Sequence, residues 1–143
     1  MRALELPVRL AVAAALTIDA VVHLRLASNY QLAAPGGIGG GNLFRVQAVA
    51  AILIGIYLLV RPSRLAYAVA ALVLLSAFFA VLLYRYVEVP SIGPIPSMYE
   101  PIWYAEKAVS AVAEGFGALL AIVGVALSGR TARERNTETS SAR

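Results

Sequence analysis

A chain of 143 residues, 60% hydrophobic and 14% charged, carries more apolar surface than a water-soluble domain of this size can bury, because surface grows quickly relative to volume in small proteins. The expected solvent is therefore largely lipid, in keeping with a mean hydropathy of +0.77. The net charge of +4 does not point to nucleic acid, since the basic residues stand singly at the ends of apolar segments and in the tail rather than in a patch, and the lack of cysteine excludes disulfides, iron–sulfur clusters and thiol chemistry.

About 20 helical residues cover a hydrocarbon core of about 30 Å. Four apolar segments meet that length, and helices are predicted at about 8–27, 43–60, 65–87 and 102–127. The expected fold class is all-α: a polytopic membrane protein whose four transmembrane helices form an up-and-down bundle, one domain over 1–128. The polar stretch 129–143 has no apolar periodicity and is expected to be a disordered cytoplasmic tail. The first segment resembles a signal peptide, with Arg2 and Arg9 before an alanine-rich run. Asp19 and His23 inside that run, and the lack of a small-residue cleavage site before a polar start, predict an uncleaved helix instead.

The distribution of Lys and Arg predicts orientation. Arg2 and Arg9 lie at the N-terminus, Arg61 and Arg64 in the turn RPSR, and Arg130, Arg133 and Arg135 in the tail, whereas the connections 28–42 and 88–101 hold neither residue type. The positive-inside rule then predicts a cell-membrane protein with both termini and the 61–64 turn cytoplasmic and the two long loops outside. Tyr30, Tyr84, Tyr86, Tyr99, Trp103 and Tyr104 collect near the outer boundary, as an interfacial aromatic belt would. The first loop has five glycines between Pro35 and Asn42 and is expected to be non-helical; the second, rich in proline, is expected to be extended or tightly turned. No strand precedes the glycine run, so it is not read as a nucleotide-binding fingerprint.

Polar groups gather in the predicted outer half. Helix 1 carries Asp19 and His23, four residues apart and hence on one face. Helix 2 opens with Arg45 and Gln47, helix 3 closes with Tyr84, Arg85 and Tyr86, and helix 4 carries Glu106, Lys107, Ser110 and Glu114. Steps of four and three along helix 4 pick out Glu106, Ser110, Glu114, Gly117, Ala121, Gly124 and Ser128, a stripe of small residues that should face the bundle and take its carboxylates with it. Glu114 should lie about 12 Å deeper than Glu106, near the level of Asp19. An ionisable group there costs at least about 2.5 kcal/mol unless it is paired, neutralised or hydrated.

Two readings follow. In the first, the charges form a structural ion-pair network, with Arg45 or Arg85 neutralising Glu106 and His23 paired to Asp19. In the second, Asp19, His23, Arg45, Gln47, Glu106, Ser110 and Glu114 line an outward-facing pocket that binds a small ligand or exchanges protons. No catalytic residue is assigned and the cofactor is left open. A metal centre is not predicted, because the chain has a single histidine and no Glu-x-x-His pair of the di-iron bundle type.

Three stretches, HLRLASNY (23–30), IGGGNLFRVQA (38–48) and YEPIWYAEKAVSAVAE (99–114), resemble small four-helix integral membrane proteins of actinobacteria that have no assigned activity. The chain is more distantly similar to the DoxX-like membrane proteins. That resemblance implies the fold and, through the quinone-linked redox subunits among its members, a redox association; no functional residue carries over. The expected function is non-catalytic: an accessory subunit or small-ligand binder, in contact with the lipid bilayer and with a second membrane subunit or another copy of itself, and without nucleic acid. The alternatives are a quinone-linked redox subunit and a proton-coupled small-solute transporter.

Overall fold

The structure, a computed structural model, describes the backbone of residues 2–141 and the side chains of residues 4–129. Its helices are α1 (Arg2–Ala33), α2 (Gly40–Val60), α3 (Arg64–Tyr86) and α4 (Ala105–Ser141). Each contains a stretch long and apolar enough to cross a membrane, and the described residues hold no strand. The fold is an all-α bundle in which α1 packs against α2 and α4, α3 packs against α4, and α2 lies beside α3. The end that carries the α2–α3 turn is called the turn end below, and the end that carries the two long connections the loop end.

Local chemistry accounts for the helix boundaries. Pro62 closes α2, because a residue before proline is pushed out of the helical region, and Ser63 caps α3 by accepting the Ala66 N–H at 3.1 Å, which satisfies one of the amides left free at a helix start. Helix α1 continues to Ala33 rather than stopping near residue 27, and Pro35 follows two residues later. Helix α4 starts three residues later than predicted. The Lys107 ammonium donates to the carbonyls of Glu100 (2.5 Å) and Ile102 (3.4 Å), which holds 100–104 outside the helix. At its other end α4 is helical through Ser141, past the expected limit at 127; Arg, Ala and Glu are good helix formers, and extending a helix already nucleated avoids the costly first turn.

The glycine-rich loop is shorter than expected. Gly40 and Gly41 belong to the first turn of α2, because the backbones of α1 and α2 approach so closely there that a Cβ on Gly40 would lie 2.8 Å from the Tyr30 carbonyl oxygen and one on Gly41 would overlap that of Ala27. The second loop is a tight hairpin. Val89 pairs with Met98 and Ile92 with Ile95, and Gly93, with φ of 56°, precedes Pro94; a positive φ at the first central position followed by proline is compatible with a type II′ turn and not with type I′. The two loops clasp each other, the Ile38 N–H donating to the Pro94 carbonyl at 2.8 Å.

The apolar core fills the turn-end half. Val12, Leu16, Leu58 and Leu74 are fully buried there, among Ala51, Ala66, Ala70, Ala118 and Ala121. Leu53, Val60, Leu72, Phe79, Phe116 and Leu119 lie on the outside of the bundle and are exposed. So broad an apolar exterior has no counterpart on a soluble monomer and fits contact with lipid. The stripe of α4 turns inward as its spacing predicts: Ser110, Glu114, Gly117, Ala121 and Gly124 are buried, and only the end members depart, Glu106 being exposed and Ser128 half-buried.

Candidate functional site

Beneath the hairpin, in the loop-end half, the four helices leave a cavity of about 330 Å³. Its wall is largely apolar, with Val22 and Leu26 from α1, Leu43 and Phe44 from α2, Ala77, Ala80 and Val81 from α3, and Met98 from the hairpin. Such a wall follows from the sequence: α3 presents Ala77 and Ala80 to the cavity, and small side chains leave space where leucines would fill it. Polar groups sit at its two ends. His23, Gln47 and Ser110 form the deep end, and Tyr30, Tyr104, Glu100 and Lys107 the end beneath the loops. Ser76, near the middle of α3, lines the cavity and is also exposed.

Each of the three deep residues bears on a buried carboxylate behind the wall. His23 Nδ1 lies 2.7 Å from Asp19 Oδ1 and 2.9 Å from the Asp19 carbonyl oxygen. A carbonyl oxygen only accepts, so Nδ1 carries a proton and Nε2 is the nitrogen with a lone pair to offer. Gln47 donates from Nε2 to Asp19 Oδ2 at 2.8 Å, and Ser110 donates from its hydroxyl to Glu114 Oε1 at 2.5 Å. Asp19 and Glu114 are both 0% exposed. Glu114 Oε2 has no hydrogen-bond partner, and Asp19 Oδ1 has none beyond its contact with His23 Nδ1. One potential ligand atom from each of Asp19, His23 and Glu114 falls within 4.8 Å of the other two.

Helical rise puts this cluster well inside the bundle: Gln47 is seven residues from the start of α2 and Glu114 nine from the start of α4, or roughly 10 and 14 Å along each axis. Uncompensated carboxylates at that depth are costly, which is why each has a donor one turn away on its own helix and Asp19 a further one, Gln47, from α2.

Of the seven residues expected to share a pocket, the structure brings five together: Asp19, His23, Gln47, Ser110 and Glu114. Three of these line the cavity and the two carboxylates stand behind them. Arg45 and Glu106 do not join. Arg45 is exposed and donates to Asn42 Oδ1, one turn away, at 2.8 Å. Glu106 is exposed and borders a separate hollow of about 350 Å³ beside Asn29, Tyr30 and Tyr104. Of the expected ion-pair network, the His23–Asp19 pair is formed and a pairing of Glu106 with Arg45 or Arg85 is not seen among the described residues. Among the described residues Asp19–His23 is the one ion pair at the cluster, and the Arg85 guanidinium lies 5.1 Å from the Tyr86 ring centre.

Other lining residues carried a different expectation. Tyr30 and Tyr104 were assigned to the headgroup belt, yet their hydroxyls meet 3.1 Å apart and Tyr30 stacks on Phe44 with ring centres at 4.0 Å. Phe44 in turn lies 4.8 Å from His23, so an aromatic file leads from the loops to the cluster. Burial raises the pKa of Tyr104, just outside α4, which keeps its hydroxyl a neutral donor and acceptor. Nothing in the spacing of Tyr30, Phe44 and Tyr104 distinguishes a belt from a file; only the facing of the helices does. Comparison of the chain with protein-family profiles, with curated proteins and with solved structures finds no match.

Proposed function

We propose that this multi-pass membrane protein is a non-catalytic binder of a small amphipathic ligand, held in the loop-end cavity. The observation that carries the reading is the shape and chemistry of that cavity: about 330 Å³, walled by apolar side chains, with a few polar groups gathered at the ends, as in small-molecule sites generally. A ligand with an apolar body would lie against Phe44, Ala77 and Val81 and place its polar group against His23, Gln47 or Ser110. Exposure of Ser76 on the cavity wall supports entry from the side, between α2 and α3, where a lipid-dissolved molecule would arrive. The absence of Lys and Arg from the connections 28–42 and 88–101, against their presence at the termini and the α2–α3 turn, supports an orientation with the loop end outside the cell. A second subunit or another copy of the chain would lie against the exposed apolar face.

The test is extraction in mild detergent followed by native mass spectrometry and organic extraction of the bound fraction. Wild-type protein is expected to retain a small molecule in stoichiometric amount. Ala77→Phe, which places a ring in the cavity, should lose it while the monodisperse bundle persists, and Gln47→Leu should weaken retention about tenfold or more, since a buried polar group of the ligand then lacks its partner. Retention by Ala77→Phe equal to wild type would refute the reading. A redox-active quinone as the retained molecule would move the assignment to the quinone-linked alternative.

A further inference from the structure

Behind the cavity Glu114 Oε2 is buried with no hydrogen-bond partner and Asp19 Oδ1 is met only by His23 Nδ1 at 2.7 Å, an arrangement that ligand binding does not explain and that has a chemistry of its own. Two carboxylates from different helices face one imidazole, all buried, and among the described residues neither carboxylate has a Lys or Arg within ion-pair distance. A divalent cation would balance the two negative charges and leave the imidazole neutral. We infer that Asp19, His23 and Glu114 form a binding site for a divalent first-row transition-metal ion.

The donor set fits that class. Imidazole with two carboxylates suits zinc, manganese or ferrous iron, while calcium and magnesium take oxygen ligands alone. The nitrogen that offers a lone pair is Nε2, because Nδ1–H faces the Asp19 carboxylate at 2.7 Å and the Asp19 backbone carbonyl at 2.9 Å; such an acceptor on the far nitrogen of a ligating histidine is the usual way of setting its tautomer. Each carboxylate also has an outer donor that orients it, Gln47 for Asp19 at 2.8 Å and Ser110 for Glu114 at 2.5 Å. Independently of this hydrogen bonding, Glu114 Oε2 lies buried without a hydrogen-bond partner, and it is there that a cation would supply what the protein does not.

One donor atom of each residue, the His23 nitrogen being Nδ1 or Nε2, lies within 4.8 Å of the other two. An ion about 2.1 Å from each requires separations no greater than about 4.2 Å, so binding closes the three side chains on the ion by rotation about χ. Any proton held at a ligand atom passes to the medium when the ion binds. His23, Gln47 and Ser110 border the cavity, which gives the ion a route and leaves further coordination positions to water or to a bound ligand.

The experiment uses the full-length, tag-free protein in detergent, stripped with a chelator and then equilibrated with Zn²⁺ or Mn²⁺, with metal per chain measured by mass spectrometry and affinity by competition with a chromophoric chelator. One ion per chain is expected, uncompeted by excess Mg²⁺. Glu114→Gln and Asp19→Asn should bind at least a hundredfold more weakly, Ser110→Ala roughly ten- to a hundredfold more weakly through loss of the outer donor, and Glu106→Gln as wild type. Should the two carboxylate variants fail to fold, Ser110→Ala against Glu106→Gln decides. Neither metal bound, or equal binding by wild type and Ser110→Ala, overturns the inference. Ligand retention by the chelated protein is measured separately, so the cavity reading stands or falls on its own.

Discussion

Gly117 and Gly124 are positions where a single methyl group would decide whether α4 can lie against its neighbours. A Cβ at Gly117 would sit 2.5 Å from the Ala15 Cβ and 3.0 Å from Leu74 Cδ1, and one at Gly124 would overlap the Tyr67 ring. Since Ala15 Cβ is fixed to its own backbone, α1 and α4 could accommodate the added atom only by separating. Replacing glycine by alanine within a helix ordinarily gains up to about 1 kcal/mol; here overpacking, worth about 1–3 kcal/mol, should reverse the sign. Gly117→Ala is therefore expected to lower the thermal midpoint in detergent, followed by intrinsic fluorescence, whereas Gly115→Ala, where the nearest atom is a Phe78 ring carbon at 3.3 Å, should be tolerated better. An unchanged midpoint for Gly117→Ala would mean that the two helices are not in close contact.

At the scale of elements, the hairpin and the glycine-rich loop act as one cover over the cavity. Met98 points inward and is buried, the Glu100 N–H donates to the Tyr84 carbonyl at 2.9 Å, and Ile38 bonds to Pro94 across the loops, so both connections are tied to α1, α3 and each other. Gly93 occupies a backbone conformation that costs an L-residue about 1–2 kcal/mol. Gly93→Ala should therefore open the turn more often. Hydrogen exchange at the Ile95 and Ile38 amides is expected to accelerate by roughly tenfold while exchange in α2 and α3 stays as in wild type. If the Ile95 amide were to exchange at an unaltered rate, the positive φ assigned to Gly93 would be wrong.

For the molecule as a whole, the distribution of polarity along the bundle axis is what matters. The turn-end half is packed with leucine, valine and alanine, and the loop-end half holds the cavity, the cluster and the aromatic file. That asymmetry matches the proposed orientation, in which a ligand site faces outward above a sealed floor. Because the chain has no cysteine, single-cysteine reporters can test it. Ser91→Cys, exposed on the hairpin, should react with a membrane-impermeant maleimide in intact cells, and Pro62→Cys, exposed at the α2–α3 turn, only after permeabilisation. Labelling in the reverse pattern would turn the cavity toward the cytoplasm.

The number of helices, their apolar exteriors and the inward stripe of α4 were all legible in the sequence, because length, hydropathy and three-to-four spacing are properties of one segment at a time. So was the pairing of Asp19 with His23, four residues apart on one helix, and the common level of Asp19 and Glu114, which follows from helical rise and antiparallel connection. What needed the tertiary structure was rotation. Whether Arg45 faces α1 or the outside, whether Tyr30 and Tyr104 sit in a belt or touch each other, and whether Gln47 reaches Asp19 all depend on how far each helix is turned about its axis, and that angle is set by close contacts such as Gly41 against α1 and Gly117 against Ala15. The alignment of one histidine with two carboxylates from α1 and α4 is of the same kind: no spacing within a helix encodes it, and it exists only because small residues let those two helices meet.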